Sequence, residues 1–149
     1  MGYIIRDEMI RPILIGGIIC GILSYKASFV PIIDYLNCCC LFDILSGVIT
    51  ARLMTKEFDP SDRDYMIAGG LSGTLVELIY WFLELLHMII DPNYLRELFM
   101  EFYPMELYVG MTGVIYMSII FIFIIILSII IGAIFGAVGG ILYGKLKRP

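Results

Sequence analysis

Polar residues cluster along this chain, and long apolar stretches run between the clusters. Most charged side chains fall at positions 6–11, 52–64, 91–106 and 145–148. A bilayer core about 30 Å thick takes about 20 helical residues to cross. The apolar stretches predict four spans, at about residues 12–25, 32–54, 66–90 and 119–143. The first is short, and Lys26 can snorkel at its end. The last lies in an apolar run over residues 107–143 that is too long for one upright span. A tight turn inside it would need Gly, Pro, Asn or Asp, and residues 124–131 contain none of these. One long span is therefore expected, with residues 107–118 as its extension or an interfacial lead-in loosened at Gly110 and Gly113. Asp59, Pro60, Ser61 and Asp62 mark one turn, and Asp91, Pro92 and Asn93 stop the third helix. Between them and the last span, Leu95, Leu98, Phe99 and Phe102 share one helical face, which predicts a short interfacial helix. The expected architecture is all-α: one membrane domain over residues 1–149, a polytopic transmembrane helical bundle.

Composition agrees. The chain of 149 residues is 60% hydrophobic and 16% charged, where soluble domains run at about 45–50% and about 25%. This excludes intrinsic disorder, charge-driven nucleic-acid binding and a disulfide-stapled scaffold. The partner it calls for is the lipid bilayer. Cytoplasmic loops are enriched in Lys and Arg. With both termini in the cytoplasm, Arg6, Arg11, Arg52, Lys56, Arg63, Lys145, Lys147 and Arg148 lie inside, eight of the ten basic residues, and only Lys26 and Arg96 lie outside. Dropping the first span evens this split, and a fifth span would put the basic tail outside. Four spans in the cell membrane, both ends cytoplasmic, fit best. The first apolar run also has the length of a signal-peptide core, but Asp7 and Glu8 precede it, and Tyr25 and Lys26 spoil a cleavage site at Ala27.

Gly132, Gly136, Gly140 and Gly144 recur every four residues, so they share one helix face. In lipid, such a row lets two backbones approach closely. Shorter versions are Gly17 with Gly21, Gly69 with Gly73, and Gly47 with Ala51. These are candidate helix-packing residues, with the last span as a glycine zipper. The spacing leaves open whether the zipper meets a helix of the same chain, a second copy in a homo-oligomer, or a larger membrane complex.

Candidate chemistry sits among the few charges inside the spans. Asp43 falls near the middle of the second span and Glu77 near the middle of the third, at similar depth. Glu84 lies two turns beyond Glu77, and His87 three residues further, so Gly73, Glu77, Tyr80, Glu84 and His87 form one face. An ionised carboxylate at the bilayer centre costs about 2.5–3.5 kcal/mol on insertion scales. Such groups face the bundle interior and often mark an ion or proton path. Asp43, Glu77, Glu84 and His87 are the pathway candidates, as a proton-exchange or cation site. The plainer alternative is protonated acids that bond Tyr80, Ser72 or backbone and only fix packing. Glu84 and His87 have the Glu-x-x-His spacing of di-metal bundles, but no second such motif exists, so no metal is expected. Cys38, Cys39 and Cys40 point about 100° apart on a helix and do not converge on one ligand; with Cys20 they read as small packing residues. No phosphate-binding loop or Ser-His-Asp set is present, so no catalytic residue, cofactor or enzyme activity is expected.

The paired Gly16 and Gly17 in the first span, the run from Asn37 to Cys40 opening the second, and the glycines from Gly132 to Gly144 resemble a pattern in small uncharacterised prokaryotic membrane proteins of archaeal type. The resemblance implies a multi-pass membrane protein and carries no activity or functional residues. The function these features favour is a non-enzymatic structural or assembly subunit that packs through glycine-rich helix faces. The alternative is a small proton or cation translocator using the intramembrane carboxylates.

Overall fold

The computed structural model describes residues 6–30, 40–91, 93 and 111–147, with side chains of the last helix described from 118 onward. The described elements are four helices: α1 (Asp7–Ala27), α2 (Leu41–Glu57), α3 (Asp62–Ile90) and α4 (Met111–Lys147). The expected interfacial helix over 94–103 lies outside the described residues, as do Cys38 and Cys39. Three helices are long and apolar enough to cross a membrane: α1, α3, and the Ser118–Lys147 part of α4. α2 has 17 residues, about 26 Å at the helical rise.

Local chemistry sets the helix ends. Asp7 and Glu8 occupy the first turn of α1 and Lys26 the last, complementing the helix dipole at both ends. α3 opens on a capping box: the Asp64 amide donates to Ser61 Oγ at 3.3 Å, and the Ser61 amide donates to Asp64 Oδ2 at 2.9 Å. The α3 helix therefore begins at Asp62, earlier than the expected 66. It ends where Asp91 turns extended and its amide caps back to the His87 carbonyl at 2.8 Å. α4 runs unbroken through Gly113 for 37 residues, about 56 Å, so no turn divides the described part of the long apolar run.

The second expected span differs most. α2 starts at Leu41, preceded by Cys40 in a left-handed conformation (φ 54°). A non-glycine residue there ends helical continuity. Asp43 thus stands in the first turn of α2 and not at mid-helix.

The helices alternate in direction. Met9 and Ile13 from the start of α1 pack with Met54 near the end of α2 and Ala68 near the start of α3. Tyr65 at the same end lies against Gly140 and Gly144 near the end of α4. At the other end, Tyr25 of α1 meets Tyr80 of α3, and Trp81 of α3 meets Phe121 of α4. α2 and α3 form the centre; α1 packs on both from one side and α4 from the other. Among the described residues, Arg6, Arg11, Arg52, Lys56, Arg63, Lys145 and Lys147 therefore gather at one end of the bundle, and Lys26 lies at the other. We call these the basic end and the far end. The outer faces are apolar: Ile119, Ile122, Phe123 and Ile126 of α4 are all exposed, as a lipid-facing surface requires.

Candidate functional site

Gly132 of α4 marks the site. A Cβ built there would lie 2.6 Å from Glu77 Cγ, 3.0 Å from the Gly73 carbonyl oxygen and 3.3 Å from Asp43 Oδ1. Asp43 from α2 and Glu77 from α3 thus converge on a stretch of α4 backbone that carries no side chain. The two carboxyls interact electrostatically, and Cys20 of α1, fully buried, lies within electrostatic reach of Asp43. α2, α3 and α4 meet here, and α1 packs against α2 and α3.

The two acids are held differently. Glu77 is half-buried and pairs with the Ser128 hydroxyl of α4. Ser128 Oγ also accepts the Trp81 indole N–H at 2.6 Å and lies 3.0 Å from the Ile125 carbonyl. Asp43 is only 4% exposed, and its Oδ1 has no hydrogen-bond partner. Leaving a buried acceptor unsatisfied costs about 1–3 kcal/mol, more when it is charged. A second carboxyl beside it adds repulsion if both are ionised. A proton shared across the pair, or a small cation, would relieve both penalties.

Toward the basic end the buried polar groups are already engaged. Ser46 Oγ donates to the Asp43 carbonyl at 2.8 Å and Ser72 Oγ to the Gly69 carbonyl at 2.9 Å, and the two hydroxyls lie 3.3 Å apart. Thr50 Oγ1 reaches the Pro12 carbonyl at 3.3 Å. Ser72, expected as a partner for the acids, bonds backbone and Ser46 instead. Beyond these hydroxyls lies the packed layer of Met9, Ile13, Met54 and Ala68.

Toward the far end the face predicted on α3 turns to α1. Glu84 is 5% exposed and within electrostatic reach of Tyr25. The Tyr25 ring lies 6.5 Å from Tyr80 and 6.3 Å from His87, and Phe29 lies 5.5 Å from His87. Asp43, Glu77 and Gly132 meet directly, while Glu84 and His87 stand about two and three turns away along α3. Among the described residues, no three of His, Cys, Asp and Glu gather where they could hold a metal ion.

The candidate packing glycines all lie at helix contacts. A Cβ at Gly47 would meet the Gly136 carbonyl, at Gly69 the Gly136 carbonyl, and at Gly73 the Gly132 carbonyl. One at Gly136 would meet the Gly69 carbonyl, and those at Gly140 and Gly144 would meet Tyr65. Gly17 lies against Leu75 and Gly21 against Ile79. The α4 row faces α2 and α3 of its own chain. Three participants were passed over in the sequence. Cys20 carries no signal for its place beside Asp43. Ser128 is the one polar residue in an apolar run, and with Trp81 on the neighbouring helix that is itself a sign of an interhelical bond. Gly132 was read only as packing.

The described residues are all-helical, with three helices of membrane-crossing length and an apolar exterior around a polar seam, the build of a helical integral membrane protein. The match to known families is as specific: a family model described as MJ1491 transmembrane domain covers residues 10–149, and the chain belongs to this family. No curated protein and no solved structure matches it.

Proposed function

We propose that the protein is a multi-pass membrane protein of four spans, both ends on the cytoplasmic side of the cell membrane, that translocates protons or small cations through the Asp43–Glu77 pair. The observation that carries this reading is Asp43 Oδ1, buried without a hydrogen-bond partner beside a second carboxyl. An acid kept at such cost inside a membrane protein is a functional residue by default. Four spans are supported by the alternating directions of the described helices and by the gathering of basic residues at one end, with α2 as the fourth. The reading invokes no catalytic residue, cofactor or bound metal.

The assembly-subunit reading draws less support. Its motive was the glycine zipper, and that row packs against α2 and α3 of its own chain, leaving lipid-facing isoleucine and phenylalanine for any homo-oligomer or larger complex. Flux into proteoliposomes under an imposed potential tests the choice, with protons read by an internal pH dye and sodium or potassium by isotope. Flux above empty liposomes that is lost in Asp43→Asn and in Glu77→Gln is the expected result. Absent flux, or flux unchanged in both variants, refutes translocation by this pair.

A further inference from the structure

The surroundings of the carboxyl pair differ sharply on its two sides. On the far side, α3 presents an ionisable or hydroxyl-bearing group at nearly every turn: Tyr80, Glu84 and His87 follow Glu77 at intervals of three, four and three residues. Each interval is about 4.5–6 Å along the helix. α1 lines the same route with Ser24, 3% exposed and one turn beyond Cys20, and with Tyr25, which faces Tyr80, Glu84 and His87 together. The route ends beside Asp91, which is exposed.

On the basic side the next titratable side chain of α3 is Tyr65, twelve residues away. That is about 18 Å along the helix. The intervening hydroxyls of Ser46, Ser72, Thr74 and Thr50 lie within hydrogen-bond distance of backbone carbonyls, and none of them is titratable. Beyond them Met9 and Met54 are fully buried, with Ile13 and Ala68 closing the layer. This layer offers a proton nothing to bind.

We infer that the Asp43–Glu77 pair exchanges protons with the far end of the molecule through Tyr80, Glu84 and His87, and is closed from the basic end in the described conformation by the Met9–Ile13–Met54–Ala68 layer, which must open for a proton to cross. The inference rests on the reading of the pair as a proton-binding site. It names the proton over a metal cation, because the route consists of groups that hand on protons and, among the described residues, no three of His, Cys, Asp and Glu gather where they could hold a metal ion. The titratable groups facing the pair are Cys20 from α1 and the two carboxyls themselves; those facing Glu84 and His87 include Tyr25 from α1. From residue 118 to 142, α4 contributes none. The step is a proton relay: each O–H or N–H hands a proton to the next acceptor and receives one behind it, with no net change in the chain.

Hydrogen–deuterium exchange of the protonated carboxyl band, followed by infrared spectroscopy on the full chain in liposomes, tests the route. Asp43→Asn and Glu77→Gln assign the band by removing it. Tyr80→Phe and Glu84→Gln should each slow its exchange by about tenfold or more, the effect of a barrier raised by about 1.4 kcal/mol. Ser72→Ala and Thr50→Val, on the sealed side, should leave the rate unchanged. Exchange as fast as wild type in both Tyr80→Phe and Glu84→Gln overturns the inference. So does exchange altered by Ser72→Ala or Thr50→Val, or a carboxyl band that neither assigning variant removes. Circular dichroism of each variant separates a lost route from a lost fold. If this pattern holds while proton flux is absent from the same vesicles, the route stands and translocation alone fails.

Discussion

Gly136 sits where three helices meet, with Gly69 and Gly73 of α3 on one side and Gly47 of α2 on the other. Replacing it with alanine gains about 1 kcal/mol of helix propensity. The new methyl would run into the Gly69 carbonyl, a backbone atom that cannot swing aside, and overpacking of this kind costs about 1–3 kcal/mol. The clash should win: Gly136→Ala is expected to lower the thermal midpoint in detergent. A midpoint raised by the propensity gain would show that α3 and α4 are less closely packed than described. The four-residue spacing made this row legible in the sequence, because it fixes which residues share a face. Spacing says nothing about which helix lies opposite, and that required the fold. Asp43 and Glu77 were legible for a simpler reason: carboxyls are rare in apolar runs. Their partners were not, since Cys20 is an ordinary small buried residue wherever it stands.

At the scale of elements, the start of α3 is the best-defined helix end in the chain. The reciprocal Ser61–Asp64 bonds satisfy two amides that would otherwise lack helical partners. Ser61→Ala should cost about 1 kcal/mol, read as a lower thermal midpoint; an unchanged midpoint would mean water replaces the cap at no cost. The spacing of Ser61 and Asp64 carried this signal in the sequence. The start of α2 carried none. Residues 32–54 are apolar enough to read as one continuous span, and hydropathy does not register a left-handed residue at Cys40. That break matters because it moves Asp43 from mid-helix to a helix N-terminus, where the backbone dipole favours negative charge. α1 and α3 extend beyond their expected limits because charged ends such as Asp7, Glu8 and Asp62 stay helical after hydrophobicity has run out.

The described helices alternate in direction, with all their basic residues but Lys26 at one end. This arrangement makes a topological prediction. Single cysteines placed at Asp59 and at Lys145, in a background free of native cysteine, should react with a membrane-impermeant thiol reagent from the same side of the membrane. One at Asp91 should react from the other. Labelling of Asp59→Cys and Lys145→Cys from opposite sides would rule out the even number of crossings that α3 and α4 require between them. The polar seam runs within this frame from the carboxyl pair to His87, and the function proposed depends on it. The most direct test is proton flux per reconstituted molecule, measured side by side for wild type and for Asp43→Asn at equal helicity. A fall to the background of empty liposomes is predicted. Equal flux in the two proteins would contradict the claim that the buried pair carries the protons.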